Sequence, residues 1–398
     1  MAALRNLPAL IIMLFSMFLL GGISSTKGII LEEVKRDIGL GMDEFGLVVF
    51  IFQWGFVLAS VITGYYSDKY GLKLMTIIGS LIMGIGLLGT GSAGAVAFFL
   101  GFYMVVGFGL GAMTVASNAV VPAVYPKKQG MMFNISMGIY GVGMFLTPII
   151  LNAMFAAGIS WRWFYVGIAI LLVVFILYVV SVKVPEGKVD KINIGAFVTM
   201  LRNTQFLFVM LFLVFYVSAE VAFMNFFPSY LQSLNLDEAS PAEKSAMVAT
   251  IISVFSVLFT LGRLAGGFIT GYIGEKRTLI LFSLLALIVV TLSKYFANEW
   301  IYMFAAAGLF FSVLFPTATG LGTKLSETGG SALGLVYVAA GIGGAFAGWI
   351  VGAVSEAFGP EKGFNLPIIF LAILFVISLV LKDKPDADAV QLNSKATK

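Results

Sequence analysis

Runs of about 20 apolar residues recur along this chain, and they constrain its fold more than any motif does. At the helical rise of 1.5 Å per residue, about 20 residues span the hydrocarbon of a bilayer. Hydrophobic residues make up 60% of the 398 positions and charged residues 11%, against roughly 25% charge in a soluble domain. With a mean hydropathy of +1.02, lipid must be the solvent. Within lipid only helices or a closed barrel satisfy the backbone, and runs this long, without the alternating polarity of barrel strands, select helices.

The runs fall at about 8–30, 45–67, 74–92, 96–124, 130–155 and 162–183, then at about 205–232, 246–273, 278–296, 300–323, 330–356 and 364–381. That spacing predicts an all-α membrane protein of twelve transmembrane helices in two six-helix bundles. The expected organisation is an N-terminal bundle over 1–183, a charged linker over 184–204, a C-terminal bundle over 205–382 and a polar tail over 383–398. Arg5, the apolar run from Leu7 to Leu20 and the small residues Gly21 to Ser25 could pass for a signal peptide, but removing them would spoil the six-plus-six plan.

Counting Lys and Arg with the N-terminus inside puts sixteen on the cytoplasmic side and six outside. The excess predicts both termini in the cytoplasm, in an inner-membrane protein. The formal charge of +4 then reflects topology, and no basic cluster with interleaved aromatics points to nucleic acid. Cysteine and histidine are both absent, so disulfides, thiolate chemistry, His-ligated metals and a His relay are excluded. A proton crossing this protein needs a carboxylate.

The two halves repeat. Gly64, Gly71 and Lys73 recur as Gly267, Gly274 and Lys276 at an offset of 203, Gly109-Leu110 as Gly308-Leu309 at 199, and Gly141 and Gly143 as Gly341 and Gly343 at 200. A six-plus-six parallel repeat is a plan of secondary transporters.

Gly64-Tyr65-Tyr66-Ser67-Asp68-Lys69-Tyr70-Gly71-Leu72-Lys73 is a short polar break between two apolar runs. It resembles the loop signature between helices 2 and 3 of the major facilitator superfamily, G-x-x-x-D-[RK]-x-G-[RK]-[RK], with Leu72 in place of one basic residue. Further stretches, Gly107 to Asn118, Tyr216 to Glu220, Gly308 to Thr317 and Gly341 to Gly344, resemble the fucose–galactose–glucose proton symporter group. The resemblance implies sugar uptake with a proton. Lys27 and Thr114 stand where that group's fucose transporter carries acidic residues, and Met137 and Tyr140 stand where amides are expected, which argues against fucose itself.

Charges inside membrane helices are costly, so each needs a partner or a task. Glu220 lies mid-helix with apolar flanks and is the candidate coupling site for H⁺, with Na⁺ as the other possible ion. Its structural alternative is a pairing with Lys27. Lys27 itself either attracts substrate or snorkels to the outer interface. Arg263 is about ten residues from the inner end of its helix, about 15 Å, and is a candidate gate residue, anion contact or packed structural arginine.

Gln53, Trp54, Asn118, Asn134, Asn225 and Tyr337, with Lys27, are the candidate substrate-binding residues, because amides and hydroxyls beside aromatic rings suit a sugar. Gly64, Asp68, Gly71, Lys73 and Arg263 are the candidate gating residues. Asp68 is expected to accept hydrogen bonds from a helix N-terminus or to pair with a base. Its counterpart in the repeat is Gly271, so the expected latch is lopsided. Glycine stripes at Gly107, Gly109 and Gly111 and at Gly138, Gly141 and Gly143 allow close helix approach.

The function expected is secondary transport of a small polar solute, a sugar, by cation symport through alternating access. The alternative is an organic anion held by Lys27 and Arg263. No nucleotide loop, no convergent catalytic set and no soluble output domain point to a pump, an enzyme or a receptor. No cofactor or metal is expected, and the predicted assembly is a monomer in the bilayer.

Overall fold

The computed structural model describes residues 6–25, 27–39, 42–184, 194–235, 240–326 and 328–382. Helices occur in the order α1 (Leu7–Ser25), α2 (Lys27–Ile38), α3 (Met42–Tyr70), α4 (Leu72–Ser92), α5 (Val96–Asn118), α6 (Val120–Val124), α7 (Gln129–Ala156), α8 (Trp161–Ser181) and α9 (Ile194–Arg202). The second half continues with α10 (Thr204–Ser233), α11 (Pro241–Ile273), α12 (Glu275–Tyr295), α13 (Ala297–Trp300), a 3₁₀ turn at Ile301–Ala306, α14 (Ala307–Ser312), α15 (Leu314–Lys324), α16 (Gly329–Phe358), α17 (Pro360–Gly363) and α18 (Leu366–Val380). Among the described residues eleven stretches are long and apolar enough to cross a bilayer. The 29-residue α3 stands beside them in the order.

Two expected spans are broken, each with a local cause. The expected first span, about 8–30, covers α1 and the beginning of α2, with position 26 between them outside the described residues. The span over 96–124 breaks at Ala119, three residues before Pro122, whose ring clashes with the carbonyl four residues back, at Asn118. The span over 300–323 opens in the 3₁₀ turn and breaks again at Val313, three residues before Pro316, for the same reason. Within the expected linker, Ile194–Arg202 is helical, whereas 185–193 lies outside the described residues, as does the tail from 383.

The repeat is visible in the turns. Gly71 joins α3 to α4 at φ 85° and Gly274 joins α11 to α12 at φ 87°, a left-handed geometry open to glycine. Elsewhere side chains cap the helices: Ser160 starts α8, Asn203 starts α10, and Ser240 with Glu243 forms a capping box at α11. The Ser240 hydrogen bonds hold the Glu243 carboxyl below its ordinary pKa.

Packing divides the chain into two units. One comprises Met1–Val124, Ser136–Phe197 and Thr328–Val338; the other comprises Tyr125–Ile135, Val198–Glu327 and Ala339–Lys398. The start of α7 therefore packs with second-half helices, and the start of α16 with first-half helices.

In the first unit α5 seats its glycine stripe on its neighbours. A Cβ at Gly107 would lie 2.2 Å from the Phe52 carbonyl oxygen, one at Gly111 2.4 Å from that of Phe56, and one at Gly109 2.5 Å from the Met83 backbone. The stripe thus serves α3 on one edge and α4 on the other. The second unit is built instead on rings: Phe223 meets Phe227, Phe255, Phe304, Phe311 and Phe364 at centroid distances of 5.2–5.9 Å, and Tyr230 stacks on Phe364 at 4.3 Å. In both units large apolar side chains such as Leu177 and Trp349 point outward, as a lipid-facing surface requires.

Because the Phe52 carbonyl cannot recede without moving α3, Gly107→Ala is expected to cost about 1–3 kcal/mol. The measurement is the apparent melting temperature of purified protein in detergent, with an exposed glycine that meets nothing within 4 Å, Gly101→Ala, as the neutral control.

Candidate functional site

Two groups of polar side chains are buried at the level of the helices, and two carboxylates bind helix starts. In the second unit, Glu220 near the middle of α10 and Arg263 of α11 lie close enough for their charges to interact, and Tyr216 stands one turn before Glu220. The Tyr216 hydroxyl donates to the Phe311 carbonyl at 3.0 Å. The Arg263 guanidinium also lies over the Phe259 ring, 4.1 Å from its centroid, and the residue is only 7% exposed. Lys27, the pairing partner considered from sequence, begins α2, and its side chain lies outside the described residues.

In the first unit Asn118 organises the second group. Its Nδ2 donates to the Tyr337 hydroxyl at 3.0 Å and to the Thr114 carbonyl at 3.0 Å, and lies 3.4 Å from the Met17 sulfur. Its Oδ1 accepts from Ser136 Oγ at 3.0 Å. Tyr337 also meets Phe56 edge to face, with centroids 5.9 Å apart. A related arrangement occupies the second unit, where Asn134 Nδ2 donates to Thr317 Oγ1 at 3.1 Å and to the Gly130 carbonyl at 2.8 Å, and Thr270 Oγ1 lies 3.3 Å from Thr317 Oγ1. Asn118 and Thr317 are 199 positions apart, the offset of the glycine repeat around them. The Oδ1 of Asn134 is buried with no hydrogen-bond partner among the described residues.

The other candidates are scattered. Gln53 is half-buried, Trp54 is 50% exposed and packs edge-on to Phe50, and Asn225 is exposed. None is brought to either polar group by a hydrogen bond.

At the end of α3, Asp68 binds the start of α16. Its Oδ1 accepts from the Gly330 amide at 2.9 Å, and its Oδ2 accepts from the Ser331 amide at 2.7 Å and from Ser331 Oγ at 2.5 Å. A helix N-terminus carries unpaired amides and partial positive charge, which makes it a fitting partner for a carboxylate. Gly64 allows the approach, since a Cβ there would lie 2.7 Å from the Gly330 carbonyl oxygen. Burial raises the Asp68 carboxyl above its ordinary pKa, with the three hydrogen bonds opposing. Gly71 only shapes the turn, and Lys73 lies apart from this contact: its ammonium donates to the carbonyls of Val180 and Val182, at 2.9 and 2.8 Å, closing the end of α8.

The second carboxylate was not legible as a counterpart. Gly271, which aligns with Asp68, bears no acid, but Glu275, four residues later at the start of α12, reaches the start of α7. Its Oε1 accepts from the Gly130 amide at 3.2 Å, and its two oxygens lie 2.8 and 2.9 Å from Lys324 Nζ. Beside it Thr323 Oγ1 donates to Gln129 Oε1 at 2.5 Å. Glu275 stands beyond the Gly274 turn, at the start of α12 rather than at the end of α11, so the second half also brings an acid to a helix start although the aligned position carries none.

A profile of the Major Facilitator Superfamily matches residues 12–325 and 240–397. The glucose/galactose transporter of Brucella abortus is 23% identical over 387 residues, covering 91% of this chain and 91% of that protein. The nitrite extrusion protein of Bacillus subtilis is 27% identical over 342 residues, covering 83% and 82%. Among solved structures, the E. coli fucose:proton symporter FucP superposes with a TM-score of 0.79 at 17% identity, covering 95% of this chain and 98% of that one, a likeness of fold.

Tyr337→Phe is expected to destabilise the protein by about 1 kcal/mol, the net worth of one buried neutral hydrogen bond. In an Asn118→Ala background the same change should cost less, because its partner is already gone. An SDS-titration unfolding series on the four proteins reads the coupling directly.

Proposed function

The chain belongs to the Major Facilitator Superfamily, and from that premise we propose that it is a secondary active transporter carrying a sugar together with a proton by alternating access. The single observation behind proton coupling is the Glu220, Arg263 and Tyr216 cluster in the second unit. A carboxylate and a guanidinium compensate each other in a low dielectric. Protonating Glu220 removes one member and leaves Arg263 to seek other partners. A proton taken up there thus changes what the cluster offers to substrate and to the surrounding helices.

Amide and hydroxyl groups at Asn118, Ser136, Tyr337, Asn134 and Thr317 match the hydroxyl-rich surface of a sugar, and the relative from Brucella abortus is a glucose/galactose transporter. The anion reading draws on the similarity to a nitrite extrusion protein and on Arg263. Against it, Arg263 already faces Glu220, so it is not an uncompensated cation awaiting an anion. We place both termini and the loop around Asp68 on the cytoplasmic side of an inner membrane, by the basic-residue excess. The Asp68 contact with α16 then acts as a latch on the cytoplasmic side of the substrate path, opening when the halves 1–183 and 205–382 rock.

Glu220→Gln is expected to abolish uphill sugar accumulation in vesicles with an imposed pH gradient while leaving sugar counterflow intact. Uphill accumulation by that variant would refute the coupling role, and accumulation of carboxylates rather than sugars by the unaltered protein would favour the anion reading. For the latch, Asp68→Asn is expected to raise the rate at which an impermeant maleimide labels a Ser67→Cys reporter from the cytoplasmic face, since Ser67 is buried against the start of α16.

A further inference from the structure

At the ends of α4 and α12 away from the Gly71 and Gly274 turns, each unit gathers three segments on one cation. In the first unit that cation is Arg162, the second residue of α8. Its Nη1 donates to the carbonyls of Gly91 and Ala93, at 2.9 and 2.7 Å, where α4 ends. Its Nε and Nη2 donate to Asp37 Oδ2 of α2, at 3.2 and 2.9 Å. The Trp161 indole, whose ring centre is 4.7 Å from the guanidinium, donates to the same oxygen at 3.2 Å. A cation in the first turn opposes the positive start of its own helix, so its place there is explained by the carbonyls and the carboxylate it reaches.

In the second unit the cation is Lys294, next to last in α12. Its ammonium donates to the Glu361 carbonyl of α17 at 3.1 Å and to Asn365 Oδ1, at the cap of α18. It lies 5.9 Å from the centre of the Tyr230 ring of α10, whose hydroxyl donates to the Lys294 carbonyl at 3.4 Å. The offset of 203 that pairs Gly71 with Gly274 also pairs Gly91 with Lys294 and Arg162 with Asn365. The cation has changed helices, and the segments it joins have not.

We propose that each half carries a clasp, one cation that fastens the far ends of its first, third and sixth membrane segments into one body, and that exchange of the cation between the third and sixth segments across the repeat preserved it. In the alternating-access reading, on which this consequence rests, the outer entrance then widens by movement of whole halves, with neither α2 nor α10 bending away from its own half. The clasps differ in grip. Arg162 holds two segments through a rigid fork of charge-assisted bonds, whereas Lys294 meets α10 through a ring and one long bond. The end of α10 has a second tie, from Lys244 to the carbonyls of Gln232 and Leu234 at 3.3 and 2.5 Å.

Hydrogen exchange on the purified protein, with neither sugar nor gradient present, tests the clasp apart from transport. Arg162→Gln is expected to speed amide exchange about tenfold, the worth of one charge-assisted hydrogen bond, in 30–38 and 86–95 together. Lys294→Gln should do so in 290–296 and 358–368, with a smaller effect in 226–233. Faster exchange at the end of α4 alone would reduce Arg162 to a local cap and overturn the clasp. Gly91→Lys combined with Arg162→Asn copies the second half's arrangement into the first. Slower exchange there than in Arg162→Gln supports the exchanged cation, and exchange no slower overturns it. Should Arg162→Gln aggregate on size exclusion, Arg162→Lys keeps the charge without the fork, and unchanged exchange in both 30–38 and 86–95 refutes the clasp equally. Sugar counterflow in vesicles is expected to fall several-fold in Arg162→Gln. Unchanged counterflow beside faster exchange would overturn the one-body consequence, whereas an unaltered protein without sugar counterflow would sink the transport reading and leave the exchange results, and the clasp, standing.

Discussion

A carboxylate at membrane depth or at its margin is tolerated only where donors or a cation meet it, and this requirement organises the chain. Glu220 meets Arg263 and Tyr216, Glu275 meets Lys324 and the Gly130 amide, and Asp68 meets the amides of Gly330 and Ser331. Each solution needs helices brought close in a fixed register. Glycine supplies the closeness, at Gly64 against Gly330 and at Gly320 against Gly130. Polar satisfaction and small-residue packing are therefore one design in this protein, because a side chain at either glycine would separate an acid from its donors.

Much of the fold was legible in the sequence because lipid imposes a coarse rule that apolar length expresses directly. The helices follow, and so do the turns at Gly71 and Gly274, where the repeat carries the same backbone demand in both halves. What escaped was local. The breaks at Ala119 and Val313 come from Pro122 and Pro316, which the apolar count passes over since proline does not lower the hydropathy of a run enough to divide it.

The sites were legible by residue type and not by partnership. Rarity marked Glu220 and Arg263, but which charges meet depends on rotation of two helices about their axes, and no spacing within one helix encodes that. Asn118 and Tyr337 were both singled out, yet their bond joins positions 219 residues apart. Trp54 and Asn225 show the limit of residue type as a guide: both have sugar-binding chemistry, and both stand apart from the buried polar groups. Glu275 was missed because the repeat was read at one offset. It lies four residues past the aligned position, across the Gly274 turn, where helical periodicity does not carry over.

The two units repeat in sequence but differ in the chemistry of their packing. The first unit seats a glycine stripe on backbone, so its helices are fixed by shape. The second interlocks phenylalanine rings around Phe223 and places its charged cluster beside them, with Phe311 serving both: its ring packs on Phe223 and its carbonyl accepts from Tyr216. Tyr216, one turn before Glu220, is anchored to a residue of the ring cluster. Aromatic packing is short-ranged and depends on the placement of each ring. Tyr216 thus ties α10 to the ring cluster at α14, immediately before the helix break at Val313.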